Sequence, residues 1–159
     1  MGDQYDTAPL PEYPALAERL TDAGVDVLLG HHPHVLQPVR VRTTSDGRSA
    51  VVAFSLGNFV SNMAERYDPA SEAADRGQTR DGLVLQVTLQ VDGDGTRRVL
   101  TPTAVPLWTD NVPDRIRVRT LESLRASSDP TLVRLAEARR SNVRSIVGAV
   151  LAEESEDTD

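Results

Sequence analysis

All three histidines of this 159-residue chain lie in one short segment, Gly30-His31-His32-Pro33-His34. Neutral imidazole offers a nitrogen lone pair at ordinary pH, which makes histidine the commonest metal ligand in proteins. Pro33 disfavours the helical region for the residue before it, so the sequence predicts an extended His32. On an extended chain His32 and His34 would point to the same side, where they would share one ion or flank a pair.

This histidine segment also has a simpler interpretation. Short histidine motifs occur by chance, and the imidazoles of a polar loop can be satisfied by neighbouring carbonyl groups. A catalytic metal needs roughly three or more protein ligands, and a two-metal hydrolase needs bridging carboxylates besides imidazoles. The segment therefore indicates metal or phosphate chemistry whose remaining ligands come from elsewhere.

The elements before the histidines are those of an α/β sheet. Residues 12–23 predict a helix with Pro14 in its first turn and Gly24 as its C-terminal cap, and a buried strand follows at Val25–Leu29. In α/β sheets, ligands bind at the carboxyl ends of the strands. The histidines occupy that position.

A second motif follows a predicted β-hairpin. The runs Val35–Val41 and Ala50–Phe54 flank an Asp46-Gly47 pair that is typical of a hairpin turn. The segment 55–59 then breaks the β pattern. The amide of Asn58 there can bind a phosphate, a metal-bound water or simply its own backbone.

The rest of the chain predicts a loop, a hairpin and a helix. Residues 65–81 are polar and aperiodic, which indicates a long surface loop, either a lid or, as we favour, an insertion. Alternation from Leu83 to Val91 predicts one strand, with a turn at 92–95 and an antiparallel return over Arg97–Thr101. A helix is expected from Asp129-Pro130 to about Leu151.

Composition excludes several function classes. The net charge is -7 and only 4% of residues are aromatic, so the chain is not expected to bind nucleic acid. With no cysteine it has no disulfide and no thiolate metal site. No stretch approaches the ~18 apolar residues that span a membrane. The acidic terminus, 152–159, is predicted to be disordered.

The run from Ala23 to Pro38, followed by Phe54–Val60, closely resembles the bacterial CapA/PgsA family of capsule and poly-γ-glutamate synthesis proteins. That family is similar to the calcineurin-like metallophosphoesterases. The resemblance, over roughly residues 2–108, implies an α/β fold, an α+β mixed-sheet sandwich: the C-terminal half of a four-layer fold, with a C-terminal helix. We expect residues 1–110 to be the family part, 111–151 a helical extension and 152–159 a tail.

The resemblance also implies a site. The terminal His-x-His that supplies metal ligands in those enzymes corresponds to His32 and His34. His31 takes a supporting catalytic role, such as a hydrogen bond to substrate, and Asn58 lines or braces the site. The implied cofactor is a divalent metal (Mn, Zn or Fe), two ions in an intact parent. The implied partner is the capsule or poly-γ-glutamate synthesis machinery, and any membrane association would come through an N-terminal region.

The chain departs from the family pattern in its first half. Family members carry an earlier aspartate motif and an Asn-His motif that are absent here, and Met1–Tyr5 resembles the tail of a third, His-Trp-Gly-like motif. We therefore expect the C-terminal part of a longer protein, with weak metal binding, little or no hydrolase activity and an exposed sheet edge. The alternatives are a non-catalytic module that binds the polymer machinery, and an α/β fold with a satisfied polar histidine loop.

Overall fold

Helices and strands mix along the chain, as the predicted α/β class requires. The computed structural model describes residues 4–64, 67–68, 70–112 and 115–151, so the predicted tail at 152–159 lies outside them. The elements are α1 (Glu12–Asp22), β1 (Val27–Leu29), β2 (Val39–Thr43), β3 (Ser49–Ala53), a 3-10 helix (Ala74–Arg80), β4 (Asp81–Gln86), β5 (Leu89–Val91), β6 (Arg97–Val99), β7 (Thr103–Val112), β8 (Arg115–Thr120), α2 (Leu121–Arg125) and α3 (Pro130–Val147).

The first sheet has the strand order β1-β3-β2 and carries the histidine segment. β1 pairs in parallel with β3, and β2 pairs antiparallel with it. The predicted hairpin is confirmed, with Gly47 at a φ of +85° in its turn. β2 begins at Val39 rather than Val35 because Pro38 has no N–H for a sheet hydrogen bond, and Leu36 forms an isolated bridge to Leu56 instead. β1 lies at the edge of this sheet.

The prediction of one strand from Leu83 to Val91 is wrong. β4 ends at Gln86 and belongs to a second sheet of order β4-β7-β8, whereas β5 pairs with β6 in a separate hairpin. Between them the Thr88 carbonyl accepts a hydrogen bond from the backbone N–H of Leu100. β4 buries Leu83 and exposes Val84, whereas all three residues of β5 are exposed, so the alternation in the sequence does not reflect one continuous buried face. The turn at 92–95 and the antiparallel return are confirmed.

The predicted helical extension at 111–151 is wrong over residues 111–112 and 115–120, which belong to β7 and β8 respectively. Pro106 lies inside β7. Its partner Leu83 donates its N–H to Leu56 on the far side of β4, and β8 pairs with β7 only from Leu107 onward. A proline is tolerated here because no neighbouring strand requires an N–H at this position. The predicted boundary at residue 110 falls within β7.

The predicted surface loop at 65–81 contains buried structure. Residues 74–80 form the 3-10 helix, in which Gly77 and Arg80 are buried; the Tyr67 ring lies against Gly77. Residues 65, 66 and 69 lie outside the described residues. The polar composition of this segment predicted an exposed loop, but the long Arg80 side chain is buried through its contacts with Trp108.

The long C-terminal helix begins as predicted. The Asp129 side chain caps it by accepting a hydrogen bond from the N–H of Thr131, and Pro130 lies in the first turn. α3 ends at Val147 rather than Leu151 because Gly148, at a φ of +79°, terminates it. No helix in the described part of the chain is long and apolar enough to cross a membrane.

The buried apolar residues form two clusters. The larger packs both sheets against α2 and α3, and its members include Leu36, Val51, Trp108, Leu124 and Val143. The smaller lies between α1 and the first sheet and comprises Ala17, Val52 and Phe54, with Leu28 against it. The histidine segment emerges from β1 beside this smaller cluster.

Candidate functional site

The histidine segment starts at a tight backbone contact. The N–H of Gly30 donates to the Ala53 carbonyl at 2.7 Å, beside the end of β3. A Cβ on Gly30 would lie 2.3 Å from the Phe54 carbonyl oxygen, so only glycine fits without movement. The histidines therefore leave the sheet at the carboxyl end of β1, as predicted.

The Gly30→Ala variant is expected to lose about 1–3 kcal/mol of unfolding free energy, because the added methyl group meets backbone that must shift. Urea denaturation followed by circular dichroism measures this loss. Gly93→Ala is the matched control, since nothing lies within 4 Å of a Cβ there, and we expect it to change stability by less than about 0.5 kcal/mol. Equal stability of the two variants would show that the contact is not tight.

The prediction of an extended His32 is wrong, because its φ is +114°. The proline after it disfavours the α region but does not fix the sign of φ. The backbone N–H of His32 donates to Nδ1 of His31 at 3.1 Å, which fits this turned conformation. A positive φ is strained for histidine and is found preferentially at functional sites. His32 and His34 therefore do not lie on one side of an extended chain, as was predicted.

The structure brings His34 and Asn58 together. Nδ1 of His34 lies 3.0 Å from Oδ1 of Asn58. The backbone N–H of His34 donates to the Gln4 carbonyl at 2.7 Å, and the Tyr5 ring stacks on the imidazole with centroids 6.1 Å apart. Asn58 also donates from Nδ2 to the Thr79 carbonyl at 2.9 Å. The two motifs of the sequence thus meet at one hydrogen bond.

His31 and His32 instead line a cavity of about 580 Å³ between α1 and the first sheet. Most of its wall is apolar, and it includes Leu10, Leu16, Leu20, Leu28, Val52 and Phe54. Gln37 holds the N-terminal wall in place by donating from Nε2 to the carbonyls of Asp6 and Ala8, at 2.9 and 3.0 Å. The volume lies within the range of small-molecule pockets. His34 and Asn58 are not among its lining residues.

The histidines present here do not fit a complete metal centre. Within residues 4–64, 67–68, 70–112 and 115–151, no group of three or more histidine, aspartate or glutamate side chains is placed to hold an ion. A catalytic metal site needs about three protein ligands. The residues that the structure describes therefore do not by themselves supply the ligand set of such a site.

Sequence reasoning missed a buried charged cluster in the second sheet. Asp81 and Arg139 are almost fully inaccessible and form a two-pronged ion pair, with 2.9 Å from Nε of Arg139 to Oδ1 of Asp81. Burial raises the pKa of Asp81 to about 6, against the opposing hydrogen bonds and charge of Arg139. In the sequence, the pair Arg80-Asp81 directly before an apolar run was the feature that could have indicated a buried charge. The partner of Asp81, Arg139, is distant in sequence.

This buried ion pair lies next to the backbone that contacts the Asn58 motif. A Cβ on Gly82, next to Asp81, would lie 2.3 Å from the Asn58 carbonyl oxygen, and Gly57 and Gly82 form an isolated β-bridge. Thr79, whose carbonyl accepts from Asn58, precedes Arg80 at the end of the 3-10 helix. The ion pair to α3 thereby fixes the backbone against which Asn58 is held.

Comparisons with known proteins match the segment that contains both motifs. The family described as bacterial capsule synthesis protein PGA_cap matches residues 1–63. PGA biosynthesis protein CapA of Bacillus subtilis (strain 168) is 34% identical over 126 residues, which are 76% of this chain and 29% of that protein. Capsule biosynthesis protein CapA of Bacillus anthracis is 46% identical over 59 residues, 37% of this chain and 13% of that protein.

The chain spans less than a third of the length of these curated relatives. The matched segment includes His31, His32, His34 and Asn58, and the fold is the mixed α/β arrangement that the resemblance implied. The chain belongs to the bacterial capsule synthesis protein family.

Proposed function

We propose that this chain acts in the synthesis of a capsule polymer, such as poly-γ-glutamate, as the C-terminal part of a CapA-like protein. One observation carries the proposal: the family match covers both the histidine segment and the Asn58 motif, and these two motifs meet through the bond from His34 to Asn58. Both relatives are named for capsule or PGA biosynthesis. The partner we propose is the machinery that makes this polymer.

In a protein of the relatives' full length, we propose that His32 and His34 contribute imidazole nitrogens to a divalent metal site of Mn, Zn or Fe. His31 would donate a hydrogen bond to substrate, and Asn58 would brace His34. Two such ions can polarise a phosphoryl group and lower the pKa of a bound water to near neutral. Because the described residues do not complete this site, we assign no catalytic step to the chain alone and propose that it binds metal weakly.

A second candidate is a non-catalytic binding module. The incomplete ligand set favours it, as does the largely apolar cavity beside His31 and His32. In that case the histidine segment shapes a binding surface for the polymer machinery. The two candidates differ in whether the imidazoles are needed as ligands.

A chimera tests the proposed function. The segment of the Bacillus subtilis relative that aligns with this chain is replaced by this chain, and the polymer made by the cells is measured. We expect the chimera to sustain polymer synthesis and to lose at least about tenfold with His32→Ala or His34→Ala, the scale of effects on metal sites. Asn62→Ala, an exposed residue near the same motif, is the matched control.

Metal titration separates the two candidates. The purified chimera is titrated with MnCl₂ or ZnCl₂, alongside its His32→Ala and His34→Ala variants. Weaker binding in both variants supports metal ligation. Equal metal binding with reduced polymer favours the binding module. A chimera that makes no polymer although it is folded and as abundant as the parent contradicts the proposed function.

A further inference from the structure

We infer that Asn58 is a positioning residue that fixes His34 as the tautomer with its proton on Nδ1, which leaves the lone pair on Nε2. The surrounding donors and acceptors determine the place of this proton. The assignment rests on the proposed function only for the use to which the free Nε2 is put.

The first step is the orientation of the Asn58 amide. A backbone carbonyl only accepts hydrogen bonds, so the group that lies 2.9 Å from the Thr79 oxygen must be the NH₂ of Asn58. The thioether sulfur of Met63, a weak acceptor, lies 3.6 Å from the same nitrogen. Both neighbours require Nδ2 on this side, so Oδ1 is turned toward His34.

The second step is the proton on His34. The amide oxygen of Asn58 can only accept, and it lies 3.0 Å from Nδ1 of the imidazole. Nδ1 must therefore donate, and a neutral ring then has its lone pair on Nε2. Isolated imidazole side chains in water prefer the opposite arrangement, with the proton on Nε2. The protein reverses that preference.

Both partners in this bond are held in place. Gly57 has a φ of +67° before Asn58, and the backbone of Gly82 contacts the Asn58 carbonyl. On the other side, the Tyr5 ring stacks on His34 at an interplanar angle of 28°. The surrounding contacts therefore hold both side chains of the hydrogen bond that fixes the tautomer.

His31 is expected to have the opposite tautomer. Its Nδ1 accepts a hydrogen bond from the backbone N–H of His32 at 3.1 Å, so its proton is on Nε2 when the ring is neutral. One short loop then presents an acceptor nitrogen on His34 and a donor N–H on His31. At the proposed site, His34 would act as a ligand or proton acceptor through Nε2, and His31 would donate to a substrate oxygen.

Long-range ¹H–¹⁵N correlation NMR of the histidine rings tests this assignment on the full chain. Spectra are recorded under mildly alkaline conditions, and the tautomer is read from rings that show one protonated and one unprotonated nitrogen. We expect His34 to show a protonated Nδ1 and His31 a protonated Nε2 in the same spectrum. A His34 ring with its proton on Nε2 overturns the inference.

Variants show whether Asn58 is the cause. Asn58→Leu removes the acceptor while keeping the branched shape and the number of heavy atoms, and is expected to move the His34 proton to Nε2, whereas Asn58→Asp keeps an acceptor oxygen and is expected to keep Nδ1 protonated. Asn62→Leu is the control and is expected to change neither ring. An unchanged His34 pattern in folded Asn58→Leu refutes the role of Asn58. If that variant does not fold, the wild-type spectrum still decides the tautomer. Because no metal or polymer is involved, failure of the proposed function leaves this result standing.

Discussion

Replacing Arg139 with methionine is expected to lower the free energy of unfolding by about 3–5 kcal/mol, the cost of leaving a buried charge without its partner. Asp81 is 1% exposed and accepts two hydrogen bonds from the Arg139 guanidinium. Without them the Asn142 amide, at 3.2 Å, remains as a side-chain donor to this carboxylate. Urea denaturation at neutral pH, followed by circular dichroism, measures the loss.

Two controls make the result specific. Arg134→Met changes an exposed arginine on the same helix, and we expect a change below about 0.5 kcal/mol. The double variant Asp81→Leu with Arg139→Met removes both charges and is expected to recover most of the stability, because an apolar pair of similar size often replaces a buried ion pair without loss. If Arg139→Met matches Arg134→Met, the ion pair does not anchor α3.

Trp108→Ala is expected to cost about 3–5 kcal/mol through the cavity that it leaves. The indole is 1% exposed and lies at the centre of the larger cluster. The guanidinium carbon of Arg80 lies 4.3 Å from a ring centroid of Trp108, and that of Arg139 lies 5.4 Å away. Removing the ring thus also removes two cation–π contacts.

Thermal unfolding by circular dichroism measures this loss without relying on fluorescence, since Trp108 is the chain's one tryptophan. Phe59→Ala is the control, because that aromatic ring is 61% exposed; we expect a shift near zero. Trp108→Ala and Arg139→Met share contacts, so their combined cost is expected to differ from the sum of the single costs. A Trp108→Ala variant as stable as the Phe59→Ala variant would contradict this account of the core.

Local patterns predicted the first half of the fold well. α1, its glycine cap and the hairpin between β2 and β3 each depend on residues close in sequence: apolar spacing, Gly24 and the Asp46-Gly47 turn. These signals act over a few residues, so they can be recognised in a single sequence. The start of α3 was predictable for the same reason, through Asp129 and Pro130.

The predictions that were wrong concern contacts between residues that are distant in sequence. The division of one alternating run into β4 and β5 follows from which strands each pairs with, and the alternation alone contains no such information. The tolerance of Pro106 inside β7 depends on where β8 ends, which no local pattern shows. Arg139 lies 58 residues from Asp81, so no local pattern links them.

The same distinction between local and non-local features applies to the candidate site. The crowding of histidines after β1 and the amide of Asn58 were visible in the sequence, and the family resemblance assigned them to one site. The meeting of His34 and Asn58, 24 residues apart, required the fold. The φ of His32 could not be read from its proline neighbour, because that neighbour excludes one region without selecting another.

The unequal size of the two hydrophobic clusters has a dynamic consequence. Ala17, Val52 and Phe54 support the histidine side, whereas the Trp108 side is held by far more buried surface. Local opening free energies follow such differences in buried contacts. We therefore expect amide hydrogens around α1 and β1 to exchange with solvent through sub-global opening, and those of β7 to exchange on complete unfolding.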